Sequence, residues 1–507
     1  MSTYRELIDL FHEFRAFSEP EMRDGIHDYS PESMARQQEG LKAFKQRWQE
    51  LDTSDWSIED RVDSFLVLGE MNVLEFLFFA LRPWFRDPAF YCSYPTWEEN
   101  MADSVPIPRE FPLDEEALRK FVDGIAVIPK ALERAKVNLT EVPRDIADIA
   151  ITRSEHQEKD WTKALAEFKQ HHPEVVPTVQ QLLEAVTDFK NWLIENLDAF
   201  TAPAGLGKEH YSWALKHIHF LPYDWGQANA LVKRELDRSK VSLKLEEAAH
   251  KDLPPHREAP RDLAEFQQRF TTAQDALVAF AEKHSLFPGE NHIVKKDPPG
   301  ALLTGKSFFN DILDIDHLPL YAHDLFGHSP DEGYRSNHPK ELRRTNLRWL
   351  DFFRAEGMAT GIEEILMQMG LIDDNPRARE LAYILVAFRA ARAMSELKMV
   401  SNELSFKEAI AYTVKHTPRG YSKDDGLAWT ELQCYLRFCG YGLGYLIGKL
   451  QLEQLIADYA DHKGADFRIG EFFGNFLNRG MLPVALLRWE MTGLDDEMKE
   501  LGLLPAT

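Results

Sequence analysis

The sequence predicts a large all-α fold. Apolar residues recur mostly at three- and four-residue spacing, and few stretches alternate with the two-residue period of a half-buried strand. The sequence contains no internal repeat and no heptad array, which argues against a solenoid and a coiled coil. With 507 residues, of which 44% are hydrophobic, the chain is long enough to build a substantial core from such helices.

Individual helices follow from apolar stripes. The clearest cover residues 159–171, 178–200 and 377–400. The most apolar segment, residues 64–81, has nearly the length of a membrane span, but Glu70 and Glu75 lie in its interior. Because ionised carboxylates are costly inside a bilayer, we expect this segment to be a buried core helix.

The segment 203–207, which is rich in Pro and Gly, is the best candidate for a domain boundary. It divides an N-terminal helical region, residues 1–205, from a C-terminal catalytic region, residues 206–507, that holds all the candidate metal ligands. One continuous domain is the alternative. Helices of both regions are expected to surround a deep cleft, which would suit a small-molecule or peptide substrate.

Charge and cysteine content exclude several classes of partner. The net charge of −24, from 59 basic and 83 acidic residues, opposes binding to nucleic acid. Three cysteines offer no disulfide framework and no Cys-x-x-Cys metal site, which favours a reducing compartment. The N-terminus lacks the basic and apolar regions of a secretory signal. These features predict a cytoplasmic protein with no membrane partner.

Two histidines and a glutamate form the candidate metal site. His323 and His328 are five residues apart, and Glu356 follows His328 by 28 positions. Catalytic Zn²⁺ or Fe²⁺ needs three such ligands, an open position for water and a base. Asp324, beside the first histidine, is the candidate base.

The spacing of the histidines requires a distorted helix. On a regular α-helix a spacing of five turns the second side chain by about 140° from the first. We place the distortion at Gly327, as a π-bulge or an early helix end. A helix over residues 340–371 would supply Glu356, and it would place Glu363 two turns further on, where it could hydrogen-bond a ligand histidine. Gly357 and Gly361 would let that helix pack closely.

The two histidines could also occur at this spacing by chance, without binding a metal. With 18 histidines and 83 acidic residues, an isolated His-x4-His pair is more often two unrelated helix residues. His317 is predicted to be a hydrogen-bonding loop residue, not a ligand. Glu332, Glu363 and Glu364 could equally be solvated charges on helix surfaces.

Several motifs in the same order resemble the bacterial domain-of-unknown-function 885 family, a helical group similar to gluzincin zinc metallopeptidases. The family element His-Glu-x-x-Pro-Gly-His-His is similar to residues 323–328, which are one residue shorter and have Asp324 in place of Glu. Its Glu-Gly-Trp-Ala is similar to residues 356–359, and its Arg-Ala-Ala-Arg to residues 389–392. Its Pro-Gly-Gln-Ala-x-x-Tyr-x-x-Gly is similar to residues 439–448, and the resemblance spans about residues 60–490.

The resemblance implies a gluzincin or thimet-oligopeptidase-like fold and a zinc-dependent hydrolase of peptide or other amide bonds. It implies His323, His328 and Glu356 as ligands, Asp324 as the proton acceptor and Tyr445 as the group that stabilises the oxyanion. Tyr441 would lie in the substrate-side loop, where the family has Gln. Arg389 and Arg392 would either pair with Glu396 or bind a substrate carboxylate.

Two alternatives stay open. The pattern from Pro319 to Pro330 also resembles the iron-binding element of pterin-dependent aromatic amino acid hydroxylases, which implies Fe²⁺ and a reaction that consumes oxygen. Those enzymes place their ligand Glu further downstream, where this chain has Gln368. Since Asp324 is one methylene shorter than Glu, a third possibility is a catalytically inactive homologue that acts as a binding protein.

Overall fold

A computed structural model describes residues 2–92, 105–287, 295–302, 307–423 and 426–505. Helices account for 72% of the chain, which confirms the all-α prediction. Within the described ranges, the only strands are β1 (Met22–Arg23) and β2 (Ile26–His27), an antiparallel pair in which Met22 faces His27.

The α-helices are numbered in chain order. Those before residue 200 are α1 (Tyr4–Ser18), α2 (Pro31–Gln49), α3 (Ile58–Phe76), α4 (Pro83–Arg86), α5 (Glu115–Ala126), α6 (Ile128–Asn138), α7 (Arg144–His171) and α8 (Val176–Asn196). The later ones are α9 (Lys208–His217), α10 (Trp225–Ala249), α11 (Leu263–Lys283), α12 (Phe308–Ile315), α13 (Leu318–Ala322), α14 (Ser329–Ser336), α15 (Glu341–Arg344), α16 (Phe352–Gln368), α17 (Ala378–Val400), α18 (Phe406–His416), α19 (Leu427–Arg437), α20 (Tyr441–Lys463), α21 (Ile469–Asn478), α22 (Val484–Thr492) and α23 (Asp496–Glu500). Two π-helices cover Leu77–Leu81 and His323–His328, and short 3₁₀ turns cover Pro88–Tyr91, Pro173–Val175, Leu197–Ala199, Pro418–Gly420 and Gly464–Asp466.

The chain forms two compact units. The larger unit contains Met1–Ile8, Leu51–Val73 and Gly207–Thr507, and the smaller one contains Asp9–Glu50 and Leu74–Leu206. Two early segments therefore group with the C-terminal part of the sequence. The sequence predicted two domains, residues 1–205 and 206–507. Whether these regions are separate domains stays a prediction.

The smaller unit is built around α7 and α8, which pack against each other. The apolar stripe predicted for 178–200 is buried, since Leu182, Val186, Phe189 and Leu193 are all nearly inaccessible. Helix α7 begins at Arg144 and so extends well before the predicted start at residue 159. Its buried face there includes polar residues, Arg153, Ser154 and Gln157, and these interrupt the apolar period that would have revealed the helix in the sequence.

The larger unit is centred on α17, which packs against α10, α18 and α20. Nearly every residue of α17 is buried, on all faces of the helix. A helix enclosed in this way lies in the core of a large fold. The prediction of a helix over 377–400 is confirmed to within one residue.

Close packing of α16 on α20 depends on two glycines. A Cβ atom on Gly448 would lie 1.8 Å from the carbonyl oxygen of Phe353, and one on Gly357 would lie 2.3 Å from the carbonyl carbon of Gly448. Neither distance is possible for a side chain, so the two helix backbones are in direct contact. The tight packing predicted for Gly357 is confirmed, and its partner is α20.

The predicted helix over residues 340–371 is wrong at its start. It is divided into α15 and α16, and the residues between them are not helical. Trp349 adopts a left-handed backbone conformation with φ of +61°, which ends any continuous helix there. The backbone N–H of Arg348 is held by the carboxylate of Glu70. Glu356 and Glu363 still lie on one helix, α16.

Segment 64–81 is buried, as predicted, and it consists of most of α3 and the first π-helix. Glu70 is fully enclosed, and Glu75 forms an ion pair of 2.5 Å with Lys45. By length and composition alone, the helical stretch Ile58–Arg86 could cross a membrane, and 83% of its most apolar window is buried inside the protein.

Candidate metal centre

The π-helix His323–His328 carries both candidate histidines, so the predicted distortion of the helix is confirmed. A π-turn holds about one more residue than an α-turn, and residues five apart therefore face the same side. Gly327 lies directly against α16, since a Cβ atom there would be 2.4 Å from the Cα of Ala359. The glycine thus lets the π-helix reach the helix that carries Glu356.

Three ligand atoms converge at this place. The Nε2 atoms of His323 and His328 are 3.2 Å apart, and Oε2 of Glu356 lies 3.7 Å from each of them. In a tetrahedral zinc site, bonds of about 2.0–2.2 Å separate the ligand atoms by roughly 3.3–3.6 Å. The observed triangle matches this geometry to within a few tenths of an ångström, so the three residues fit a divalent metal ion.

Glu363 orients His323. Its Oε1 lies 2.9 Å from Nδ1 of His323, and its two oxygens accept hydrogen bonds of 2.7 and 2.8 Å from Arg389. Arg389 Nη2 also lies 3.1 Å from Nδ1, but a guanidinium cannot accept a hydrogen bond, so in the tautomer that is protonated on Nδ1 the acceptor is Glu363. Nε2 then carries the free lone pair that a metal requires.

Burial favours the neutral form of both His323 and Glu363. It lowers the pKa of His323 to about 3, and the positive charge of Arg389 lowers it further. The imidazole is therefore neutral, which is the form that binds metals. Burial also raises the pKa of Glu363 to about 7, against the opposing effect of Arg389.

Glu356 has one satisfied and one unsatisfied oxygen. The hydroxyl of Tyr441 donates a hydrogen bond of 2.7 Å to Oε1. Oε2 is buried and has no hydrogen-bond donor among the described residues. An unpaired carboxylate oxygen is costly in a protein interior. Since this is the oxygen that faces the two imidazoles, a bound cation would satisfy it.

Arg392 and Tyr445 lie beside the three ligands. The guanidinium of Arg392 is 4.7 Å from the ring centre of Tyr445 and forms an ion pair of 2.5 Å with Glu431. Tyr435 donates a hydrogen bond of 2.5 Å to the same carboxylate. Burial and the charge of Glu356 raise the pKa of Tyr445. The Glu431 carboxylate and the Tyr435 hydroxyl were missed in the sequence, although their spacing of four places them on one helical face.

The predicted ion pairs of Arg389 and Arg392 with Glu396 are wrong, because these arginines pair with Glu363 and Glu431. Glu396 instead accepts hydrogen bonds from the hydroxyl of Tyr211 and from the backbone N–H groups of Gly440 and Leu443. These amides lie at the N-terminus of α20, where a carboxylate is favourable. Glu396 therefore anchors the helix that carries Tyr441 and Tyr445.

Asp324 lies next to His323 on the π-helix, but it is not one of the three converging residues. Its side chain is 49% exposed, and Oδ2 lies 3.9 Å from Nζ of Lys296. The carboxylate is therefore open to solvent.

Other predicted roles change. His317 packs against the rings of Phe266 and Tyr321, and its buried Nε2 has no hydrogen-bond partner among the described residues, so the predicted hydrogen-bonding role is not seen there. Glu363 and Glu364 are buried and paired, so neither is a solvated helix charge. The side chain of Glu332 lies outside the described residues. Gln368 is exposed at the end of α16.

The comparison with family models identifies residues 334–491. This segment matches the model of the DUF885 family. The family is described as "Bacterial protein of unknown function", and the match confirms the predicted family resemblance over residues 334–491. The DUF885 segment contains Glu356, Glu363, Arg389, Arg392 and both tyrosines, and it begins after His328. Among curated proteins, none matches the chain.

Two solved structures share the fold over nearly the whole chain. One is a "putative lipoprotein of unknown function" from Shewanella oneidensis, with a TM-score of 0.74 and 14% identity, covering 97% of this chain and 100% of its own. The other is a "putative lipoprotein" from Colwellia psychrerythraea, with a TM-score of 0.66 and 14% identity, covering 99% and 100%.

The predicted cytoplasmic location is contradicted by these two structures, because both proteins are described as lipoproteins. The prediction was based on charge, cysteine content and the first residues. Composition and charge describe the chemistry of the folded chain and do not show where in the cell it lies. The prediction of a cytoplasmic location is therefore wrong.

Proposed function

We propose that the protein is a metal-dependent hydrolase of peptide or other amide bonds, with the metal held by His323, His328 and Glu356. One observation carries the proposal. Two imidazole nitrogens and a buried carboxylate oxygen that lacks a donor among the described residues converge at distances of 3.2–3.7 Å. Zn²⁺ is the ion proposed, since two His and one Glu are the ligands of a catalytic zinc that keeps an open position.

The surrounding residues keep the ligands in place. Glu363 fixes the ring of His323, and Tyr441 fixes the carboxylate of Glu356. A divalent metal bound there would act as a Lewis acid toward a substrate carbonyl and toward water. Ligands held by such hydrogen bonds need little reorganisation during a reaction.

The remaining roles are assigned to Asp324 and Tyr445. Asp324 would accept the proton of the attacking water, because its carboxylate is open to solvent and adjoins a ligand histidine. Tyr445 would donate a hydrogen bond to the oxyanion that forms on the substrate carbonyl. The positive charge of Arg392 over the Tyr445 ring favours negative charge at this place. A gluzincin-like fold with a deep cleft and a small or extended substrate belongs to the same proposal.

The proposal is tested by elemental analysis of the full-length protein and by assays on a panel of amides. We expect about one zinc per chain, and we expect His323→Ala, His328→Ala and Glu356→Gln each to lose it. His462→Ala is the control, because His462 is exposed near the end of α20. Circular dichroism verifies that each variant is folded. A protein without stoichiometric metal after incubation with zinc, or metal content unchanged in His323→Ala, would refute the proposal.

The same experiment decides between this proposal and its alternatives. Two His and one carboxylate also form the facial triad of ferrous oxygenases. Iron in the purified protein, with oxygen uptake, would establish that alternative, although Gln368 is exposed at the end of α16. Stoichiometric metal without turnover of any amide would favour an inactive homologue that binds ligands.

A further inference from the structure

A second concave site lies in the larger unit, on the surface formed by α10 and by the turn that follows α18. The pocket has a volume of about 440 Å³. The charged or titratable residues among those that line it are Lys240, Lys244, Glu247, Lys415, His416 and Arg419. The lining therefore contains four cationic side chains and one acidic side chain. The charge of this pocket is positive, although the net charge of the protein is −24.

Lys240 and His416 contact each other inside this basic pocket. Nζ of Lys240 lies 2.9 Å from Nδ1 of His416. Because an ammonium group can only donate, Nδ1 accepts, and the neutral imidazole carries its proton on Nε2. The remaining polar atoms of both side chains are therefore donors. Burial lowers the pKa of His416, and the charges of Lys240 and Lys415 lower it further, which agrees with a neutral ring.

The one acid of the basic pocket is already neutralised. Glu247 pairs with Lys244 at 2.7 Å and with Arg419 at 3.0 Å. Lys240 and Lys415 form no ion pair with a carboxylate in the part of the chain that the structure describes. The pocket thus presents ammonium and imidazole donors and lacks a counter-charge for two of its cations.

Arg419 is held in a conformation that non-glycine residues seldom adopt. Its φ is +60°, in the left-handed region, and its guanidinium binds Glu247 and the buried Glu380. A left-handed residue that is not glycine costs on the order of 1 kcal/mol, and it persists where its surroundings hold it. The ion pairs fix the turn that closes one side of the basic pocket.

We propose that this pocket binds an anionic ligand through its phosphate oxygens. Cationic donors favour an oxyanion, and the volume lies in the range of small-molecule sites. It exceeds the needs of a single phosphate, so the anion would be one end of a larger molecule. The ligand is either a soluble phosphorylated compound or an anionic lipid headgroup.

The test uses the full-length protein with two probes. Calorimetry with inorganic phosphate measures the soluble source, and sedimentation with phosphatidylglycerol vesicles, against phosphatidylcholine vesicles, measures the lipid source. We expect Lys240→Gln and Lys415→Gln each to weaken binding of at least one probe tenfold or more. Lys233→Gln is the matched control, because Lys233 lies on α10, is exposed and pairs with Asp237. It should change binding less than twofold.

The outcomes separate the sources. Phosphate binding that needs Lys240 and Lys415 supports the proposal with a soluble ligand. Binding to phosphatidylglycerol vesicles alone, with the same dependence, supports it with a lipid headgroup. The proposal is overturned if the wild-type protein binds neither probe, or if both lysine variants bind as tightly as Lys233→Gln.

Discussion

The hydroxyl of Tyr441 donates a hydrogen bond of 2.7 Å to Oε1 of Glu356, while Oε2 of that carboxylate faces the imidazoles of His323 and His328. The hydrogen bond fixes Oε1, and Oε2 is left available to a cation. The tyrosine lies on α20 and the glutamate on α16, so the pairing depends on the close contact of these two helices.

Tyr441→Phe should weaken metal binding about 10- to 100-fold, since the ring is retained and only the hydroxyl that orients Glu356 is lost. The measurement is the dissociation constant for zinc, obtained by competition with a chelator. Tyr435→Phe serves as the control, because its hydroxyl binds Glu431 and not Glu356. Equal zinc affinity in Tyr441→Phe and wild type would contradict the assigned role of the hydroxyl.

Glu363→Gln and Glu364→Gln should have different effects although the residues are adjacent. Glu363 binds His323 and Arg389, whereas Glu364 pairs with Arg238 and Lys449. Glu364→Gln leaves Arg238 and Lys449 without this buried carboxylate and should lower the free energy of unfolding by a few kcal/mol. Zinc affinity should fall, by about 10- to 100-fold, in Glu363→Gln alone. If both variants lose affinity equally, Glu363 acts through the fold and not through His323.

Gly448→Ala should destabilise the larger unit by about 1–3 kcal/mol or more, because the added Cβ would overlap the carbonyl oxygen of Phe353. The helices α16 and α20 would move apart, and Glu356 would move away from the histidines. Thermal unfolding and zinc content are the measurements. Gly444→Ala, one turn earlier on α20, places its Cβ 3.3 Å from the nearest atom and should have a much smaller effect.

Removal of the metal should lower the melting temperature. A ligand that binds only the folded state stabilises it by about 2.7 kcal/mol at 100 times its dissociation constant. We expect chelator to lower the melting temperature of zinc-loaded wild-type protein and to have no effect on His328→Ala. A melting temperature of the wild type that zinc and chelator leave unchanged would argue against a metal bound in the folded protein.

The pH dependence of stability should include a contribution from Glu497. Burial raises the pKa of this carboxyl from 4.5 to about 7, beyond what the nearby Arg488 can offset. The folded state therefore binds the proton more tightly than the unfolded state, and stability falls as the pH rises from about 4.5 to about 7.

Glu497→Gln should remove this loss. It should raise the free energy of unfolding by about 1–3 kcal/mol at pH 8 and leave it nearly unchanged at pH 4. Urea unfolding across this range is the measurement. Glu500→Gln, at the exposed end of α23, should change the pH dependence far less, because the charge of Glu500 raises the pKa of Glu497 less than burial does. A parallel shift of stability at every pH would show that Glu497 does not titrate as assigned.

Local patterns in the sequence predict the helices and the candidate ligands. The stripe of α8 and the extent of α17 follow from apolar spacing, and the π-distortion follows from a spacing of five beside a glycine. These features depend on neighbours within two turns of helix, which is the range that a sequence displays. The early start of α7 does not follow, because its buried polar residues interrupt the pattern.

By itself, the sequence determined an all-α chain with His323, His328 and Glu356 as the candidate ligands and Glu363 two turns beyond. Only the tertiary structure decided which charges meet: Arg389 with Glu363, Arg392 with Glu431, and Glu396 with the N-terminus of α20. The physical reason is that a buried charge takes the partner that packing brings within hydrogen-bonding distance, and packing between distant helices is set by contacts such as Gly357 with Gly448.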